Sequence, residues 1–195
     1  MRFASVNARL RLGKNARTFK NDFKEVFENQ KEYSDKLLLA CELYCAAYFD
    51  EMVKSRFVTL ITAVEALLTP KNRSAKIRKL IGEFARSIKD AELDEEEKEP
   101  LLSALHFIKK ESIGQAGRNL AGRELNSSKY DGRSSSDFFK FCYKIRSQLV
   151  HSGKSKLTTS ELVDLSNTCS KFVGDLLGAH IGGNETQVVP FTEVR

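Results

Sequence analysis

No hydrophobic run in this chain is long enough to cross a membrane. The longest near-apolar stretch, LLLACELYCAAY, is about half of what a span requires and is interrupted by Glu42. Arginines near the N-terminus are not followed by a continuous apolar segment, so no secretory signal is read there, and the expected compartment is the cytoplasm with no membrane partner. Cys41, Cys45, Cys142 and Cys169 include no C-x-x-C pair, and all fall in helix-like segments where cysteine acts as a small apolar residue. Cys41 and Cys45 would make half a metal site on one helical turn, but His106, His151 and His180 are scattered, so no metal is expected. There is no internal repeat. The GKS tripeptide at 153–155 also lacks the rest of a P-loop: the required earlier glycine is Gln148, and a helix, not a strand, precedes it.

Acidic residues are missing from two places. Residues 1–20 hold six cations and no Asp or Glu, so they carry the whole of the net charge of +6 and the remaining chain sums to zero. Within that neutral remainder, residues 138–157 carry Lys140, Lys144, Arg146, Lys154 and Lys156 and again no acid. Such a neighbourhood suits a phosphate polyanion, and it equally describes a solvated cationic helix face.

What is present is mostly helical pattern. At 195 residues, with 41% hydrophobic and 30% charged side chains, the chain suits one globular domain with a sizeable core. Residues 5–12, SVNARLRL, alternate as a half-buried strand does, and the short QVVPF near the end is the one partner in view. From about Phe19 the period is helical. In SRFVTLITAVEALLTP the positions Phe57, Leu60, Ile61, Val64, Leu67 and Leu68 line one face, and Pro70 closes the run. Flanking helices are expected over 33–49 and, capped by Ser74, over 74–88. The acidic DAELDEEEKEP reads as a solvated connection running into a helix start, with Pro100 in its first turns and a helix over 101–110. SIGQAGRNLAGREL reads as a broken or shorter helix, NSSKYDGRSSSD as a polar loop, and Asp137 as the cap of the next helix. A last helix runs from Thr158 to about Leu177, with Glu161 placed for a capping box. The expected fold is an all-α bundle of six or seven helices over 21–183, with a basic, partly strand-like arm at 1–20 and a tail at 184–195.

The segment YKIRSQLVHSGKS gathers the candidate chemistry. Phe138, Cys142, Ile145 and Leu149 are spaced as the apolar side of a helix that Gly153 stops. On an ideal helix Arg146 and His151 lie about 140° apart, so a shared site requires the helix to loosen by Ser152. The alternative is an arginine in an ion pair and a histidine capping terminal carbonyls. Glu65 lies on the stripe Val58, Ile61, Glu65 and Leu68, where a carboxylate facing apolar surface needs a partner: Arg146, whose guanidinium it would hold, or another cation such as Arg56. Tyr143 either stacks on a base or sits in the core, and Arg118, after the SIGQAG turn, either contacts phosphate or is solvated.

R-S-Q-L-V-H resembles the R-x4-H signature of the HEPN superfamily (higher eukaryotes and prokaryotes nucleotide-binding). SRFVTLITAVEALL, KESIGQAGRNL and FCYKIRSQLVHSG, in this order, are similar to its Apea-like branch, over roughly residues 33–177. Ser147 departs from the pattern, since many active members have Asn, Asp or His after the arginine. The resemblance implies a helical bundle that forms a homodimer with both R-x4-H elements at a two-fold cleft. It also implies a metal-independent endoribonuclease, with Arg146 and His151 as catalytic residues, no cofactor, and a role as a toxin or antiviral defence effector. An antitoxin or regulatory domain would be a further partner. The competing expectation is a noncatalytic HEPN module that binds nucleotide or RNA, or dimerises within a larger protein.

Overall fold

The computed structural model describes residues 34–182. The strand-like stretch 5–12, the basic arm and the QVVPF segment lie outside the described residues. Within them are seven helices and one small hairpin: α1 Asp35–Phe49, α2 Val53–Leu67, α3 Ala75–Lys89, α4 Glu95–Ile108, α5 Ile113–Glu124, β1 Lys129–Tyr130, β2 Arg133–Ser134, α6 Ser135–Ser152 and α7 Thr159–Gly182. The fold is an all-α bundle, and no described helix is long and apolar enough to cross a membrane.

The core forms where the apolar stripes of α2, α6 and α7 meet. Phe57, Leu60, Ile61 and Val64 of α2, Phe138, Phe139 and Cys142 of α6, and Cys169, Phe172, Val173 and Leu176 of α7 are all essentially closed to solvent. Each large side chain buried this way stabilises the fold by about 1.5–3 kcal/mol before entropy is counted. Helix α1 packs against α2 and α7, and α5 against α6. Lys36 fastens the start of α1 to the end of α2 by donating to the Leu68 carbonyl and Thr69 Oγ1, both at 2.8 Å. Burial, and then the neighbouring Cys169, push the Cys142 thiol far above its ordinary range, so it acts as apolar filler beside the equally buried Cys169.

Several local expectations are corrected. Helix α4 begins at Glu95, not 101, so the acidic run forms its first turn, where carboxylates meet the positive end of the helix dipole; Pro100 lies in the first turns, as expected. Of the two alternatives for the SIGQAG stretch, a broken or a shorter helix, the second holds: Ser112 Oγ accepts from the Gln115 N–H at 3.2 Å and α5 runs uninterrupted to Glu124. Its glycines do not break it because they serve packing. A Cβ on Gly117 would lie 2.1 Å from Phe139 Cε1, so the bare backbone is what lets α6 approach. Ser135 and Ser136 of α6 complete this seam by donating to the Ala121, Leu125 and Arg118 carbonyls of the α5 end.

The expected polar loop contains a hairpin. Asp131 and Gly132 both have positive φ, 49° and 73°, which is the two-residue turn that matches the twist of paired strands. Lys129 faces Ser134, and Tyr130 faces Arg133. The hairpin delivers Tyr130 to the core, where its ring meets Phe138 and Phe172 at 5.4 and 5.1 Å and its hydroxyl donates to Asp175 at 2.7 Å. The cap of α6 is Ser134, whose hydroxyl accepts from the Asp137 N–H at 3.2 Å; Asp137 stands inside the first turn. Helix α7 has the expected Thr158 and Glu161 box, with the Thr158 N–H donating to Glu161 at 2.8 Å, and it extends past Leu177 to Gly182.

Candidate active site on helix α6

The site is built on α6 because this helix alternates two duties. Its apolar positions, Phe138, Cys142, Ile145 and Leu149, are buried as their spacing predicts, which holds the intervening polar positions at fixed angles. Arg146 is one of these. It faces α2, and its Nη2 donates to Glu65 Oε2 at 3.0 Å, with side chains 22% and 19% exposed. Arg56, the other candidate partner, instead donates to Ser166 Oγ and Asn167 Oδ1 of α7.

The pair is held by one prong. Glu65 Oε1 and Arg146 Nε are both buried without a hydrogen-bond partner, so the fork that arginine and carboxylate can form is not used here. Burial pushes the Glu65 carboxyl above its ordinary value even though Arg146 pulls it down. Desolvation therefore outweighs the attraction, and the fold carries this charge at a cost. Tyr143, one turn before Arg146, feels the same neighbours: burial and then Glu65 raise its phenol, while Arg146 lowers it. Its ring stacks on Phe139 at 5.7 Å and covers Gly114, so it is half-packed against α5. Ser147 is partly exposed beside Arg146.

His151 stands apart from this cluster. Helix α6 stays regular to Ser152, and Gly153, with φ 67°, ends it by donating its N–H to the Leu149 carbonyl at 2.9 Å. The loosening that would bring Arg146 and His151 to one side of the helix is absent, and about 140° of rotation still separates them. His151 is exposed and makes no hydrogen bond among the described residues, so it caps no carbonyl. One chain places the arginine inward and the histidine outward.

Lys140, Lys144, Lys154 and Lys156 are all exposed, and the structure adds a cation that no linear reading of α6 could supply. Lys54, in the first turn of α2, donates to the Gly153 carbonyl at 3.2 Å and so sits at the C-terminal end of α6. The sole sequence signal for it is its place one turn before the core stripe of α2. Arg118 lies within α5, not after a turn, and its guanidinium donates to Gln115 one turn back on the same helix. Gln148 Oε1 is a further buried acceptor without a partner. No group of three or more histidine, cysteine or acidic side chains that could hold a metal ion occurs among the described residues. The chain matches no family model, no curated protein and no solved structure.

Proposed function

We propose that this chain is an HEPN-type, metal-independent endoribonuclease whose working unit is a homodimer, with Arg146 and His151 of the R-x4-H element as its catalytic residues. The observation that carries the reading is the half-buried Glu65–Arg146 pair. An arginine of the element is gripped by a carboxylate from a neighbouring helix, at an energetic cost, on a helix whose exposed cations suit a polyanion. The inward arginine and outward histidine fit a composite site, in which a second copy brings its own element alongside the first.

The chemistry asks little of the protein. The 2′-OH of RNA loses its proton to a histidine and attacks the adjacent phosphorus. The bond to the 5′-oxygen breaks, and a second histidine protonates that leaving oxygen. The products are a 2′,3′-cyclic phosphate and a 5′-hydroxyl. Histidine titrates near neutral pH and serves either role, while arginine stays charged and stabilises the five-coordinate phosphorus as its charge builds. Arg146 Nη1 makes no hydrogen bond among the described residues, which leaves it for a phosphate oxygen. Lys140, Lys144, Lys154 and Lys156, joined by Lys54, would hold the backbone; a role in toxicity or antiviral defence belongs to this same reading.

Glu65→Gln tests the reading through a split between stability and activity. A carboxyl whose pKa is raised in the folded state binds its proton more tightly there than in the unfolded chain. Its stabilising contribution is therefore present at acid pH and lost as pH rises from the ordinary carboxyl value through the raised one. At neutral pH the amide removes that cost and still accepts from Arg146, so urea denaturation should place the variant within about 1 kcal/mol of the parent, or above it. Cleavage should nonetheless fall about ten- to a hundredfold, because a neutral amide holds the guanidinium less firmly than the carboxylate does. A destabilised variant with unchanged turnover per folded molecule would make the pair structural only.

A further inference from the structure

Helices α3 and α4 form a hairpin that packs on itself and scarcely on the bundle. Its base is pinned: the Arg73 N–H donates to the Lys109 carbonyl and the Glu111 N–H to the Lys71 carbonyl, each at 2.9 Å. Along the seam between the two helices Ile81 is buried, and Ala85, Ile88, Leu102 and Leu105 are half-buried. The apolar stripes do not stop there. Ile77, Leu80 and Phe84 on α3, and Leu101 and Ile108 on α4, remain between 42% and 53% exposed.

These five side chains share one face. In each helix they sit roughly 80° round the axis from the seam residues, in the same rotational sense. The helices run antiparallel, so the same sense of rotation in both brings the two strips to the same side of the hairpin. The result is an apolar strip of a few hundred Å², near the upper limit that monomers leave uncovered.

The charges say what covers it. The tip, residues 90–99, holds seven carboxylates against Lys98 alone, a net of six negative charges. The base, residues 71–79 with 109–111, holds seven cations against Glu111 alone, a net of six positive charges. Arg86 and Lys89 lie on the side of α3 away from the strip. A two-fold axis crossing the strip at its middle turns a second copy end for end, so that strip covers strip while each acidic tip lies over the other copy's basic base. Like ends would repel in any side-by-side register, so the charge pattern selects this one.

From this self-complementary pattern we infer that the α3–α4 hairpin is a homotypic docking surface, and that its partner is the same hairpin of a second copy. The contact shares no residue with α6 and does not rest on the proposed nuclease activity. Two charge-reversed proteins test it: a tip variant, Glu92→Lys, Glu95→Lys, Glu96→Lys and Glu99→Lys, which takes the tip from a net of six negative charges to two positive, and a base variant, Lys76→Glu, Arg78→Glu, Lys79→Glu and Lys110→Glu, which takes the base from six positive to two negative. All eight positions are exposed, and circular dichroism checks that each variant is folded. By sedimentation velocity at about 100 μM and low salt, each variant alone should show half the mass of the parent, because every tip then faces a base of its own sign. Mixed in equal amounts, the two should recover the parental mass, since each reversed end now meets its opposite. Leu80→Asp should halve the mass with no rescue by either. Any association through α6 persists in all these variants and is read as the halved species. A parent that is monomeric under these conditions, a Leu80→Asp protein of parental mass, or a mixture that fails to associate would each overturn the inference.

Discussion

His151→Ala should abolish most RNA cleavage while leaving the protein otherwise unchanged. The imidazole is exposed at the last turn of α6 and makes no hydrogen bond among the described residues, so its removal should shift stability by less than about 0.5 kcal/mol. The cations around it are untouched, and RNA affinity and its salt dependence should match the parent. Turnover has no such insurance. Loss of a general acid-base typically costs about a hundred- to ten-thousandfold, and in a composite site the two copies lose base and acid together. Single-turnover cleavage with protein in excess over RNA separates the chemical step from binding. A variant that cleaves at the parental rate would remove histidine from the mechanism.

Gly117→Ala should be the most damaging small substitution in the bundle. The added Cβ would meet Phe139 at 2.1 Å from Cε1, 2.2 Å from Cζ and 2.9 Å from Cδ1. Phe139 cannot yield easily, because it is fully buried and stacked on Tyr143. Either the ring leaves its rotamer or α5 and α6 move apart, and overpacking of this kind costs about 3 kcal/mol. Because α6 also carries Arg146, separation of the helices would disturb the grip of Glu65 as well. Gly82 in α3 is the control: a Cβ added there would meet nothing within 4 Å, so Gly82→Ala should stabilise by up to about 1 kcal/mol through helix propensity. Urea midpoints of the two variants should move in opposite directions. A Gly117→Ala protein as stable as the parent would mean that the α5–α6 seam is looser than these distances require.

The stripes of α2 and α6 are legible in the sequence because apolar spacing alone decides which side of a helix enters the core, and Phe57, Ile61, Phe138 and Cys142 lie where that spacing puts them. The Glu65 carboxylate is legible for the converse reason, as a charge on an apolar stripe, and the structure resolves its two candidate partners in favour of Arg146. The expectations that fail share a cause. Glycine suggests a break at 113–117 and charge a connection ahead of a helix at 101, whereas tertiary packing gives Gly117 a neighbour to accommodate and the helix dipole gives Glu95, Glu96 and Glu97 a place in a first turn. Asp131 and Gly132 have turn composition, but Asp-Gly between short extended segments is also the hairpin signal. Lys54 is beyond reach of the sequence, since its place beside Gly153 depends on how α2 crosses α6.

The most direct measurement is cleavage of end-labelled RNA by the purified protein in excess EDTA, with the fragment ends identified by mass spectrometry. Cleavage should persist without divalent ions and leave 2′,3′-cyclic phosphate and 5′-hydroxyl ends, and an otherwise identical substrate with hydrogen in place of the scissile 2′-OH should stay intact. Activity that disappears on chelation and returns with magnesium, or cleavage that ignores the missing 2′-OH, would contradict the mechanism; no cleavage of any RNA across a broad panel would leave a noncatalytic binding module as the better description.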